Sequence, residues 1–135
     1  MNALARNALN VYQSTGFDSA VEFSDQHQLV GMLFNALLDA LADARRHLQD
    51  KDLVHKSEKV TRSQKILYGL RSTLDFEQGG ELARSLDSLY DYCLRRLSSA
   101  NAENNEAALA EVASLMSEIR EAWQLMPTRE MPGKQ

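Results

Sequence analysis

Residues 81–100 read ELARSLDSLYDYCLRRLSSA, and the placing of their apolar side chains decides the fold. Leu82, Leu86, Leu89, Cys93 and Leu97 recur in steps of four and three, the spacing that lines one face of a helix, with Tyr90 and Leu94 flanking them. The stretch therefore predicts a helix over Glu81–Ala100 whose apolar seam faces a bundle. On its amino-terminal side stands Asp75-Phe76-Glu77-Gln78-Gly79-Gly80, where paired glycines predict a left-handed cap closing the preceding helix. On its carboxyl-terminal side stands Asn101-Ala102-Glu103-Asn104-Asn105, a predicted turn, because asparagine bonds to its own backbone and tolerates left-handed geometry.

Working outward, Leu53–Thr73 predicts a second helix with Leu53, Val60, Ile66, Leu67, Leu70 and Leu74 as its apolar set. Lys51, Lys56, Lys59, Arg62 and Lys65 make its first half basic, interrupted by Asp52 and Glu58, a pattern that suits attraction of an acidic partner and a solvated helix face equally well. Glu106–Met126 predicts a fourth helix, seamed by Leu109, Val112, Met116, Ile119, Trp123 and Met126 and ended by Pro127 and Pro132. The first long helix is expected from about Ser24, a suitable N-cap, to Gln49, with an alternative start at Ser19, where Glu22 completes a capping-box spacing. Its stripe of Leu29, Leu33, Ala36, Leu37, Ala40, Ala44 and Leu48 is widened by Val30, Phe34, Leu38 and Leu41. A width of this kind suits either contact with two neighbouring helices or a surface kept for a partner.

Short turns between four helices make neighbours antiparallel, so the expected fold is an all-α, up-down four-helix bundle. Residues 1–135 are read as one domain: a docking segment at 1–15, the bundle at 24–126 and a polar tail at 127–135. The leading segment, with Leu4, Ala8, Leu9 and Tyr12 near one stripe, is a marginal helix that needs an apolar surface to fold on. Gly16-Phe17-Asp18 interrupts it.

Composition narrows the function. The 135 residues carry 15 Lys plus Arg against 19 Asp plus Glu, a formal charge of -4 that disfavours a broad phosphate-binding surface, so no nucleic-acid partner is expected. No run approaches the roughly 18 apolar residues of a membrane span, and no secretory leader is evident, which points to the cytoplasm. Cys93 stands alone and is expected in the core. His27, His47 and His55 are far apart in sequence and read as solvated side chains; no metal site is expected. Asp39 and Asp43 share a helix face, but no nucleophile accompanies them, and Gly79-Gly80 lacks the Lys-Ser/Thr of a phosphate loop. No catalytic residue and no cofactor follows from any of these.

Taken together, Leu74-Asp75-Phe76-Glu77-Gln78-Gly79-Gly80-Glu81-Leu82-Ala83, Ser85-Leu86, Leu89-Tyr90-Asp91-Tyr92 and Leu97-Ser98-Ser99-Ala100-Asn101 resemble the central signature of the flagellin-specific export chaperones, the FliS family. Leu29-Val30-x-Met32-Leu33-Phe34, Tyr12 and Arg120-Glu121-Ala122-Trp123 resemble that family's first-helix, amino-terminal and final-helix motifs. Phe34 and Cys93 depart from the tyrosine and methionine common there, and both keep apolar bulk. The resemblance implies a non-catalytic, cofactor-free helical bundle that holds the carboxyl-terminal segment of flagellin in the cytosol and hands it to the type III export gate. An anti-sigma factor or another flagellar regulator is the alternative partner. On this reading the flagellin-binding residues are Leu29, Val30, Leu33, Phe34, Leu37, Leu86, Leu89, Tyr90 and Leu94, with Leu9 and Tyr12 covering the groove when no client is bound.

Overall fold

The computed structural model describes residues 26–126 as four helices: α1 (Gln26–Gln49), α2 (Leu53–Ser72), α3 (Phe76–Glu103) and α4 (Glu106–Leu125). The expected helix starts at Ser24 or Ser19, the leading segment with Leu9 and Tyr12, and the tail beyond Met126 lie outside the described residues. Helix α1 packs against α2 and α4, while α3 packs against α2 and α4, which closes a four-membered ring. Polar contacts fix the directions. The start of α1 meets the ends of α2 and α4, through Gln26 Nε2 donating to the Thr73 carbonyl (3.2 Å) and Trp123 Nε1 donating to the His27 carbonyl (3.0 Å). At the opposite end Gln49 Nε2 donates to Glu106 (2.6 Å), and Lys56 Nζ near the start of α2 donates to Asn101 near the end of α3. Every adjacent pair is therefore antiparallel, as the short turns require.

The double-width stripe of α1 is explained by its two neighbours: Leu29, Val30, Leu33, Phe34, Ala36, Leu37, Ala40, Leu41 and Ala44 are all buried. They join Val60, Ile66, Leu67 and Leu70 of α2, Tyr90, Cys93, Leu94 and Leu97 of α3, and Leu109, Val112 and Met116 of α4 in one core.

Two turns differ from expectation. The glycine pair does not cap α2, which ends at Thr73 in right-handed geometry, with Thr73 Oγ1 donating to the Leu70 carbonyl (2.6 Å). Instead Asp75 starts a new helical turn, its carboxylate accepting from the Glu77 and Gln78 amides at 3.1 Å each, so α3 begins at Phe76 and not at Glu81. Gly80 then breaks that turn from the helix body at φ 52, ψ -123, a conformation costly for any residue with a Cβ. Gly79 is needed for a different reason: a Cβ there would lie 2.9 Å from that of Ala83. At the far end α3 runs on to Glu103, and the predicted five-residue turn contracts to two asparagines. Asn104 takes the left-handed cap (φ 53), and Asn105 caps α4 by accepting from the Ala108 amide (3.1 Å).

Candidate functional site

The residues nominated from sequence fall into two groups. Leu29, Val30, Leu33, Phe34, Leu37, Tyr90 and Leu94 are buried in the common core. Leu86 and Leu89 are only partly covered, and they pack against that core from the amino-terminal half of α3. The structure adds neighbours that sequence reading left out of the site. Phe76 and Leu82 stand outward on the same half-helix, with Leu82 59% exposed. Between Phe76 and Leu89 a single side chain, Ala83, is buried, although the segment contains four large apolar residues. Part of the apolar surplus is therefore on α3's front half, and Leu125 at the end of α4 is exposed as well. The seam spacing gave Leu82 a core position, but it lies just after the Gly80 break and beyond the reach of α2, which ends at Ser72, and stands exposed.

A second patch lies across the α2–α3 groove, a shallow cleft lined by Gln64, Tyr68, Asp91, Leu94, Arg95 and Ser98. Tyr68 projects from it, more than half exposed. Leu53 and Val54 are a third exposed apolar pair, at the start of α2.

The polar residues mostly bind helices to each other. Lys56, read as part of a solvated basic face, is buried instead, with Nζ donating to the Asn101 carbonyl (2.9 Å) and Oδ1 (2.6 Å); Ser57 Oγ donates to the same Oδ1 at 3.1 Å. Desolvation lowers the Lys56 pKa, the expected effect of withdrawing an ammonium from water. Arg71 Nε donates to Asp87 at 2.6 Å and its Nη1 lies 3.6 Å from Asp91, tying α2 to the front half of α3. Glu111 of α4 accepts from Tyr92 Oη (2.6 Å) and Arg96 Nε (2.8 Å); the Tyr92 hydrogen bond, then that from Arg96, holds its carboxyl below the ordinary range. No spacing rule flagged these pairs, because each partner lies on a different helix.

His27 and His47 are half-buried contact residues, while His55 is exposed, as expected. His27 stacks on Trp123 with ring centroids 4.9 Å apart, and its Nε2 lies 3.0 Å from the Trp123 carbonyl, which can only accept, so that nitrogen carries the proton. His55 Nδ1 lies 2.7 Å and His47 Nδ1 3.7 Å from the Asp52 carboxylate, whose pKa is lowered chiefly by the His55 hydrogen bond. Among the described residues no group of three His, Cys, Asp or Glu side chains is placed to hold a metal ion. Cys93 is buried in the core, as expected, and burial pushes its thiol up to about 11, far from a reactive thiolate. No described helix is long and apolar enough to cross a membrane. What the surface offers is apolar contact area.

Comparison with known proteins agrees with that character. A family profile for flagellar protein FliS matches residues 8–130. The chain is 42% identical over 118 residues to the flagellar secretion chaperone FliS of Salmonella typhimurium, covering 87% of each protein. It is 39% identical over 120 residues to the protein of that name from Escherichia coli, covering 88% of each. It is 35% identical over 119 residues to the flagellar secretion chaperone FliSB of Pseudomonas aeruginosa, covering 88% of this chain and 94% of that one. These relatives are named as chaperones, not enzymes. With the profile spanning nearly the whole chain, this protein belongs to the flagellar protein FliS family.

Proposed function

We propose that this chain is a cytosolic export chaperone that binds the disordered carboxyl-terminal segment of flagellin, prevents its premature polymerisation and passes it to the flagellar type III export apparatus. The observation that carries the reading is its kinship, over most of its length, with proteins named flagellar secretion chaperones. The geometry supports it, because an amphipathic segment that is disordered alone can fold against an apolar helix face offered to it. Leu82, Leu86 and Leu89 form such a face on the front half of α3, with Phe76 exposed on the turn before it. Leu29, Val30, Leu33, Phe34, Leu37, Tyr90 and Leu94, buried in the core, support that face from beneath. Coupled folding of this kind buries about 1,000 to 3,000 Å² and loses about 2 to 5 kcal/mol to ordering, which leaves binding protective yet reversible.

Calorimetry with a peptide of flagellin's carboxyl-terminal segment tests the proposal. The wild-type chain should bind with a negative heat-capacity change, the mark of apolar burial. A folded chain that produces no binding heat at several temperatures and does not co-purify with co-expressed flagellin would overturn it.

A further inference from the structure

The two halves of α3 are held by different means. The rear half contributes Tyr90, Cys93, Leu94, Leu97 and Ala100 to the core and is tied down at several points: Asn101 to Lys56 and Ser57, Ser98 to Gln64 (2.9 Å), and Tyr92 and Arg96 to Glu111. The front half buries Ala83 alone and begins in a turn detached at Gly80. Among the described residues its polar tie to α2 is the bond from Arg71 to Asp87, through Nε (2.6 Å) and Nη2 (3.3 Å); the same guanidinium lies 3.6 Å from Asp91 at the start of the rear half. Arg71 and Asp87 side chains are 33% and 31% exposed, so water competes for the pair and it can open at modest cost.

We infer that residues 76–89 are a strap latched to α2 by Arg71, which lifts about the anchored rear half of α3 to admit an amphipathic client helix. The inference rests on the client-binding reading given above and adds how the site opens. The geometry suits a lift: Leu86 and Leu89 touch the core while remaining partly open, and Leu74, just before the strap, packs on the same core. Raising the strap therefore uncovers the apolar core surface on which Leu74, Leu86 and Leu89 pack, without separating the core side chains of the rear half. Segments with few buried apolar contacts open most readily in native proteins, and client-binding elements are drawn from them.

Hydrogen exchange read by mass spectrometry on the full chain tests the latch without any client. In the wild type, amides of 81–89 should exchange faster than those of 90–103. Arg71→Asp, which sets a carboxylate against Asp87 and Asp91, should accelerate 81–89 by roughly two- to fivefold while 94–103, beyond the Asp91 contact, stays unchanged. The charge swap Arg71→Asp with Asp87→Arg should restore the wild-type rate. Equal acceleration of both halves, or no acceleration of the strap, overturns the inference. The flagellin peptide supplies the second arm: Arg71→Asp should raise its association rate and the swap should return it. A faster strap with an unchanged association rate also overturns the inference, whereas a peptide that never binds the wild type overturns the client assignment and leaves the latch to be decided by exchange alone.

Discussion

Within α3, Leu82, Leu86 and Leu89 share one four/three seam with Cys93 and Leu97, yet the run from Tyr90 to Ala100 is core and the run from Phe76 to Leu89 is mostly surface. The difference arises from what stands opposite. The rear run faces α2 and α4 along their lengths, with a buried lysine and a shared glutamate closing the polar ends of the contact. The front run extends past the end of α2, and its first turn is set aside by Gly80. Periodicity thus reports which face a helix wants to bury, and the reach of its neighbours decides whether the burial happens.

The largest effect should come from paired truncations across the helix. Leu97→Ala, in the fully buried rear half, should cost about 2 to 5 kcal/mol in urea unfolding, against about 0.5 kcal/mol or less for Leu82→Ala in front. Equal costs would erase the contrast between the halves. Next, Asn101→Ala removes an acceptor from the buried Lys56 ammonium and should cost about 1 to 3 kcal/mol by the same measurement. A loss no greater than that of an exposed asparagine would show that the rear anchor is not there. For function the order should invert: Leu82→Ser and Phe76→Ser should weaken flagellin-peptide binding by roughly tenfold together, as lost burial of two partly exposed side chains implies, with the melting curve nearly unchanged. The smallest effect concerns acid. Because the folded Glu111 carboxyl is held below its unfolded value, its contribution is present above about pH 4.3 and lost as pH falls through the folded pKa. Glu111→Gln should accordingly flatten the decline in stability on that acid limb, seen in melts across pH 2 to 6.

Much of this was readable before any coordinates. The four helices, their antiparallel order, the core placement of Cys93 and the family follow from the seams at Leu29–Leu48, Leu53–Leu70, Leu82–Leu97 and Leu109–Trp123 and from the signature that spans Leu74–Tyr92. The misread features share one cause. Gly79-Gly80 looked like a helix stop because two glycines commonly are one, but the Asp75 carboxylate starts a turn just ahead of them. Lys56 looked solvated because its sequence neighbours are charged, and its burial depends on Asn101, 45 residues away. In the candidate site, Leu86 and Leu89 were legible from the signature, whereas the outward position of Leu82 depends on where α2 stops, a long-range fact that local spacing does not contain.

Trp123 lies face to face with His27 where the last helix closes on the first, and it is the chain's one tryptophan. Ultraviolet emission from this protein consequently has a single address, at the end of the ring where Gln26 also bonds the Thr73 carbonyl and α3 begins. An event that loosens this end shifts the glow, and one confined to the opposite end, at Lys56 and Asn101, leaves it where it was, so the molecule carries its own label-free means of telling which end yields.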